Sequence, residues 1–168
     1  EEMIKFGPYD HAKLSLKTLR GHIGYVPQDN FLFSDTIKNN IGFAYEQIGE
    51  DKLLEVGKLA DIHDDVMGFK EQYETILGER GVTISGGQKQ RVSIARALAK
   101  DPTILILDDS VSAVDTKTEE DIIRNLRRVR KGKATVMIAH RISTVRRLDD
   151  IVLIDAGRLA GFGTHADL

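Results

Sequence analysis

Residues 84–109 read ISGGQKQRVSIARALAKDPTILILDD, and this stretch decides the fold. Gly86 and Gly87 precede a run of helix-forming residues, 88–100, which ends at an Asp-Pro pair. An uninterrupted apolar segment follows at 104–107, as is typical of a strand buried on both faces of a parallel sheet. Asp108 and Asp109 come directly after it. A glycine-opened helix followed by such a strand predicts an open α/β domain with a polar site at the carboxyl end of the strand.

The remaining elements extend this fold in both directions. Strands are predicted at 4–6, 23–26, 134–138, 151–154 and 158–162, and helices at 118–129 and 142–148. In the helix at 118–129 the residues predicted to face inward are Ile122, Ile123, Leu126 and Val129. The second half therefore alternates strand and helix, which indicates an open sheet.

Between residues 29 and 80 the pattern is helical, which predicts an inserted helical subdomain. Ser34 or Asp35 is expected to cap a helix that carries Ile37 and Ile41 on one face. Two further helices are expected near 53–60 and 62–69.

Composition excludes several classes of protein. The 168 residues suit one domain, and 41% hydrophobic with 30% charged residues argues against disorder. A net charge of −2 gives no overall attraction to nucleic acid, and the lack of cysteine excludes disulfides and thiolate metal sites. A basic stretch is best explained as a solvated helix end, because no aromatic residues are interleaved with it: Arg124, Arg127, Arg128, Arg130, Lys131 and Lys133.

The residues 85–88 have the chemistry of a phosphate-binding helix start. Gly86 and Gly87 let the backbone approach a ligand, the next helix offers unpaired amides, and Ser85 adds a hydroxyl. A Gly-Gly turn before a helix is the simpler alternative. The flanking Ser85 and the run Gln88-Lys89-Gln90-Arg91 favour phosphate binding.

Asp108 and Asp109 lie where open α/β sheets bind ligands. One carboxylate can hold Mg²⁺ and the next can orient an attacking water. Taken alone, the two residues could equally cap the next turn. Three other positions have simple structural readings on their own: Gln28 as a turn residue, Asp115 as a helix N-cap, and His140 as a strand-end histidine.

Together, these segments resemble the motifs of the ATP-binding cassette (ABC) family, in order and over nearly the whole chain. Ser85, Gly86, Gly87 and Gln88 resemble the signature sequence, with Ile84 in place of its leucine, and residues 104–109 resemble Walker B. Gln28 resembles the Q-loop glutamine, residues 112–115 the D-loop, and His140 the switch histidine. The implied fold is a P-loop NTPase-like ABC ATPase domain: a partial RecA-like parallel sheet core plus a helical subdomain.

The resemblance implies a role for each residue. Asp108 and Gln28 would bind Mg²⁺, while Asp109, His140 and Gln28 would serve catalysis. The signature and Asp115 would bind ATP held by a second nucleotide-binding domain, in a homodimer or a heterodimer. Asp109 stands where the family usually has glutamate and is one methylene shorter, so the resemblance also implies a degenerate site like those of asymmetric transporters.

Two segments resemble those of the exporter-type members of the ABC family. Residues 30–37 include Phe31 and Phe33, which would line a groove for coupling helices of a transmembrane domain or pack within the subdomain. Residues 75–81 resemble the X-loop, whose Glu79 and Arg80 would face the same partner. The implied division is an ATPase-core part at 1–29, a helical subdomain at 30–84, and a second core part with signature helix at 85–168. The implied place is the cytoplasmic face of the cell membrane, attached through that transmembrane domain, with no nucleic acid as partner.

The phosphate loop Gly-x-x-x-x-Gly-Lys-Ser/Thr does not occur in the 168 residues. Gly81 and Gly86 have its spacing, but Gly87 stands where lysine is required. In the family this loop precedes the segment seen here. With no plausible start at Glu1-Glu2-Met3, we expect an internal fragment that is inactive by itself.

Two alternatives stay open. One is a soluble ABC-family ATPase of DNA repair or translation. The exporter-like segments at 30–37 and 75–81 make this alternative less favoured. The other is a catalytically weak domain that lends its signature to an active partner, which Asp109 favours.

Overall fold

Three parallel strands form the central sheet of this computed structural model, which describes residues 4–79 and 81–168. The strands β3 (Ile23–Val26), β4 (Ile104–Asp108) and β5 (Ala134–Ile138) pair in the order β3-β4-β5. In register, Val26 lies beside Leu107, and Leu107 beside Met137. The carboxyl ends of all three strands therefore meet at one edge, with β4 in the middle.

The helix α5 (Gly86–Ala99) covers one face of this sheet. Gly24 of β3 permits the close packing, because a Cβ there would lie 2.8 Å from Pro102 Cγ and 3.0 Å from the Ala97 carbonyl oxygen. Leu105 and Leu107 of β4 are fully buried on this face. Each such burial stabilises the fold by about 1.5–3 kcal/mol.

The segment between β3 and α5 contains three short helices: α2 (Ile37–Ile41), α3 (Glu50–Leu59) and α4 (His63–Met67). Both α2 and α3 pack on α5. Their buried residues join those of the sheet in one continuous core, and Ile37, Ile41, Val56 and Val66 are at most 1% exposed.

The other elements lie at the two ends of the chain and around the sheet. The strands β1 (Lys5–Phe6) and β2 (Tyr9–Asp10) form one antiparallel pair, and β6 (Ile151–Asp155) and β7 (Arg158–Gly163) form another. The helices are α1 (Leu16–His22), α6 (Thr116–Val129) and α7 (Ile142–Val145). Among the described residues, none of these helices or the earlier ones is long and apolar enough to cross a membrane.

Several predicted elements are confirmed, including all three strands of the parallel sheet and α5. The prediction that β4 is buried on both faces is wrong, since Ile104 and Ile106 are only half-buried. Ile104 and Ile106 point to the face of the sheet opposite Leu105 and Leu107. On this face Tyr25 and Val136, the register partners of Ile106, are exposed. The strands β6 and β7 pair with each other in a separate sheet rather than extending the parallel one.

Three local predictions also need correction. The N-cap of α2 is Thr36, whose Oγ1 accepts from the Asn39 N–H at 3.0 Å, rather than Ser34 or Asp35. Val129 at the end of α6 is exposed rather than inward-facing. The helix α1 was not predicted. The expectations for Glu1-Glu2-Met3 and for Arg80 fall outside the described residues.

Candidate nucleotide site

The carboxyl edge of the parallel sheet gathers four of the residues singled out from the sequence. Asp108 ends β4 and Asp109 follows it, Gln28 comes two residues after β3, and His140 comes two residues after β5. Because β4 is the central strand, the two aspartates lie between the other two side chains along this edge. Gln28 and His140 are exposed, and both aspartates are half-buried.

Asp108 is contacted by a side chain of the neighbouring strand. Tyr25 on β3 donates its hydroxyl to Asp108 Oδ2 at 3.2 Å. Desolvation and the Asp108 carboxylate together raise the pKa of Tyr25 above its ordinary value of 10.0. The phenol is therefore a hydrogen-bond donor at neutral pH. Because it contacts only Oδ2 of Asp108, the other carboxylate oxygen, Oδ1, is left for another partner.

Asp109 has an unusual backbone that is held by its surroundings. Its φ is +47°, in the left-handed region that aspartate tolerates better than most residues. Its N–H donates to the carbonyl of Ile138 at 2.9 Å, and its own carbonyl accepts from Ser112 Oγ at 2.9 Å. Since Ile138 ends β5, Asp109 is tied to the strand that leads to His140.

The start of α5 lies at the same edge and is open to solvent. Ser85 and Gln88 form a reciprocal capping box: Ser85 Oγ accepts from the Gln88 N–H at 3.1 Å, and the Ser85 N–H donates to Gln88 Oε1 at 2.9 Å. The Ser85 O–H and the Gln88 amide NH₂ do not take part in these two bonds. Both groups can therefore donate to an anion placed at this helix start.

Gly87 brings α5 against the loop that follows β4. A Cβ at Gly87 would lie 2.9 Å from the Ala113 carbonyl oxygen, so no larger residue fits without a backbone shift. Gly86 has only an ordinary contact, 3.6 Å from Ala113 Cβ. The two glycines thus serve different purposes: Gly87 is required for packing, whereas the Cβ side of Gly86 is open.

Gln90 is a residue of this region that sequence reasoning did not single out. It is 5% exposed, and its side chain contacts the loop after Asp109 through Ser112 and Ala113. The core-facing side of α5 consists mainly of apolar residues, with Ser93 as the other buried polar one, and a glutamine among them was the available signal.

Arg141 connects the 112–115 loop to the segment after β5 that carries His140. Its guanidinium donates to the carbonyls of Val114, at 3.2 Å, and of Ser112. It also pairs at 3.0 Å with Glu119 of α6, a carboxylate that is 2% exposed. The buried carboxylate thus fixes the direction of Arg141.

Asp115 is the N-cap of α6, as its sequence position suggested. Its Oδ1 accepts from the Thr118 N–H at 3.0 Å and its Oδ2 from the Thr118 hydroxyl at 2.7 Å. These bonds to the ionised form lower the pKa of Asp115. The carboxylate remains exposed at the end of the 112–115 loop.

No group of three or more histidine, aspartate or glutamate side chains converges within residues 4–79 and 81–168. Asp108 offers a carboxylate and Gln28 an amide oxygen at the same edge of the sheet. Such a donor set suits Mg²⁺, which takes one or two carboxylates and completes its shell with water and phosphate oxygens.

The side chains of the basic stretch form more hydrogen bonds and ion pairs than those of a solvated helix end would. Arg130 is 6% exposed and donates to the carbonyls of Pro102 at 2.9 Å and Ala134 at 2.8 Å. Arg124 pairs with Asp121, Arg127 with Asp149, and Lys133 with Asp101. Arg130 therefore holds β4 and β5 in place, contrary to the expectation of a solvated side chain.

Phe31 and Phe33 belong to an exposed aromatic cluster with Phe43. The Phe33 and Phe43 rings stack at 4.6 Å between centroids, and Phe31 meets Phe33 edge-on at 5.0 Å. Arg96 lies 5.6 Å from the Phe33 centroid and donates to the Phe31 carbonyl at 2.9 Å. The three rings pack on one another, yet Phe31 and Phe43 remain more than 60% exposed.

A parallel α/β sheet with this polar edge, next to a glycine-opened helix, defines the class of nucleotide-binding α/β domains. The sequence model of the ABC transporter family matches residues 1–112 of the chain. The chain belongs to the ABC transporter family. The predicted fold class, an ABC ATPase domain, is thereby confirmed.

Its relatives are of the exporter type. The chain is 47% identical over all 168 residues to a probable multidrug resistance ABC transporter ATP-binding/permease protein, YheI, of Bacillus subtilis. It is 42% identical over 95% of its length to an ATP-dependent lipid A-core flippase of Syntrophus aciditrophicus. Among solved structures, a bacterial Atm1-family ABC exporter with ATP bound matches 94% of the chain at 44% identity, with a TM-score of 0.89.

The chain spans less than a third of each of these proteins. It covers 29% of the Bacillus protein, 27% of the flippase and 28% of the exporter chain.

Proposed function

We propose that the chain is the nucleotide-binding part of an ABC exporter that couples ATP binding and hydrolysis to export of a substrate across a membrane. The observation that carries this proposal is the convergence of Gln28, Asp108, Asp109 and His140 along one edge of the parallel sheet. Membership of the ABC family and the exporter-type relatives support it.

Each residue at the edge has a role suited to its chemistry. Asp108, with Gln28, would hold Mg²⁺ beside the nucleotide phosphates, where the ion would neutralise charge on the β and γ groups. Asp109 would orient the attacking water and accept its proton. His140 would contact the terminal phosphate.

The start of α5 would act on a different nucleotide molecule, one held by a second nucleotide-binding domain. Ser85, Gly86, Gly87 and Gln88 are open to solvent or only half-buried and offer the Ser85 hydroxyl, the Gln88 amide and a helix N-terminus. Asp115 would lie at the interface between the two domains. Each site is then shared by two domains, as the sequence motifs imply.

The helical segment 30–84 would connect this machinery to a transmembrane domain. The exposed cluster of Phe31, Phe33 and Phe43 offers apolar rings to coupling helices, and the exposed Glu79 offers a carboxylate to the same partner. Residues 1–29 and 85–168 would form the ATPase core. The domain would then lie on the cytoplasmic face of the membrane.

A catalytically weak domain that lends its signature to a partner is the second candidate. Asp109 favours it, because a carboxylate one methylene shorter than glutamate falls about 1 Å short of the water, which can lower the rate on the order of 100-fold. The residues 85–88 are unaffected by this shortening.

ATP hydrolysis by the full-length protein in lipid vesicles tests the proposal. We expect turnover that is lost with Asp108→Asn, while the 168-residue chain, which has no phosphate loop, hydrolyses no ATP alone. A full-length protein that neither binds nor hydrolyses ATP would contradict the proposed function, and one that binds ATP without turnover would support the weak-domain candidate.

A further inference from the structure

Gln90 lies one turn into α5, beyond the residues proposed to contact the partner's nucleotide, and its side chain is fully used inside the chain. Its Oε1 accepts from the Ala113 N–H at 2.9 Å. Because a backbone N–H can only donate, this bond fixes the orientation of the amide. Its Nε2 then donates to Ser112 Oγ at 3.1 Å and, more weakly, to the Asp109 carbonyl at 3.4 Å.

These bonds reach the backbone that aims the Asp109 carboxylate. With φ at +47°, Asp109 adopts a conformation that persists only where the surroundings hold it. Its N–H is held by Ile138, and its carbonyl receives both Ser112 Oγ and Gln90 Nε2. Gln90 therefore hydrogen-bonds α5 to the Asp109–Ala113 loop, and it contacts both Ser112 and Asp109.

The far side of this loop is fixed independently. Arg141, next to His140, donates to the carbonyls of Ser112 and Val114 and is itself held by the buried Glu119. A displacement of α5 relative to the sheet would therefore act on a loop that is anchored at its other side. Gln90 makes the side-chain hydrogen bonds through which such a displacement reaches the loop, beside the packing of Gly87 on Ala113.

We propose that Gln90 is a positioning residue that transmits movement of the signature helix to the Asp109 backbone of the same chain. When the start of α5 closes on a partner's nucleotide, Gln90 would draw the loop with it and set the direction of the Asp109 carboxylate. This inference rests on the proposed function, because it requires ATP hydrolysis that depends on Asp109.

The test compares variants of the full-length protein in lipid vesicles. Gln90→Met keeps the length of the side chain and removes all its hydrogen bonds. Ser93→Ala is the matched control, since Ser93 is also 5% exposed on α5 and its Oγ is without a hydrogen-bond partner among the described residues. The measurements are kcat and KM for ATP, together with the thermal unfolding midpoint.

We expect Gln90→Met to lower kcat about tenfold while KM for ATP stays within about twofold, because Gln90 does not contact the nucleotide. Ser93→Ala should keep both values. Ser112 is exposed, so Ser112→Ala should fold even if Gln90→Met does not, and it should lower kcat with an unchanged KM. In the double variant the two losses in kcat should be less than additive, since the bond between Gln90 and Ser112 is removed by either substitution.

The inference would be overturned by a kcat for Gln90→Met within about twofold of the parent or by a KM that rises as kcat falls. Where Gln90→Met does not fold, a kcat for Ser112→Ala equal to that of the parent would overturn it. Additive losses in the double variant would do the same. A parent protein without any ATP turnover would instead contradict the proposed function, and the inference with it.

Discussion

Position 109 combines a short carboxylate with a left-handed backbone. Aspartate and asparagine are enriched at positive φ, because their side chains bond locally, whereas glutamate has no such advantage. Aspartate therefore reaches less far towards the attacking water than glutamate would. It also fits the observed φ of +47° better than glutamate would. Reach and conformational preference oppose each other at this position.

Asp109→Glu is expected to separate these two effects. The longer side chain should raise ATP turnover of the full-length protein, by up to about 100-fold if reach alone limits the rate. The same change should lower the free energy of unfolding by up to about 1 kcal/mol because of the backbone conformation. Steady-state hydrolysis and chemical unfolding measure the two effects, and unchanged turnover would exclude a degenerate site.

The adjacent glycines of the signature are predicted to respond differently to the same substitution. Gly87→Ala places a Cβ 2.9 Å from the Ala113 carbonyl oxygen, so stability should fall by about 1–3 kcal/mol. Gly86→Ala meets only an ordinary contact at 3.6 Å and should keep or slightly raise stability, since alanine favours helix. Thermal unfolding of the two variants compares them directly, and equal losses would refute the packing argument.

At the scale of elements, the strands and the longer helices could be predicted because their pattern is local. The segment 104–108 is apolar up to the carboxylate of Asp108, and the end of α5 carries the helix-forming residues Ala95, Ala97, Leu98 and Ala99. The helix α1 escaped prediction because it has only seven residues, and its apolar pattern is limited to Leu16 and Leu19. Its signal was the cap, Ser15 Oγ, which accepts from the Thr18 N–H at 3.1 Å.

Other features depended on tertiary contacts and could not be predicted. Ser34, Asp35 and Thr36 are all good capping residues, and only the fold shows that Asp35 instead accepts from Asn39 Nδ2 at 2.8 Å. The same holds for Gln90, Arg130 and Glu119, whose partners lie far away in sequence. The sequence predicted which residues end the sheet strands but not the side chains that hold them.

The start of α6 should make stability depend on pH through Asp115. Hydrogen bonds from the Thr118 N–H and hydroxyl lower its pKa below the ordinary 3.8. The cap therefore stabilises the fold above about pH 4, and this contribution is lost as the pH falls through the lower folded pKa.

Asp115→Asn keeps a capping oxygen but cannot ionise. We expect this variant to be less stable than the parent at pH 7 and to lose less stability between about pH 5 and pH 2. Urea unfolding at a series of pH values gives both quantities. Parallel pH profiles for the two proteins would show that Asp115 is not the group responsible.

At the scale of the whole molecule, the candidate residues divide into two sets. Gln28, Asp108, Asp109 and His140 lie on the carboxyl edge of the sheet, whereas Ser85 and Gln88 bond to each other at the exposed start of α5. In the proposed function, the first set acts on a nucleotide held by its own chain and the second set on a nucleotide held by another.

Subunit complementation in the full-length protein tests this claim most directly. Asp108→Asn disables the first set, and Gly86→Asp places a negative charge at the open helix start, where a Cβ is tolerated. In a dimer of one subunit of each kind, one of the two shared sites combines both defects and the other is intact.

The quantity to measure is retention of a non-hydrolysable ATP analogue after free nucleotide is removed. We predict that each variant alone retains almost none, and that the two co-expressed variants recover about a quarter of the parent value, since about half of the dimers are mixed and each has one intact site. A mixture that retains no more than the separate variants, under conditions where the parent retains nucleotide, would contradict a site shared between two chains.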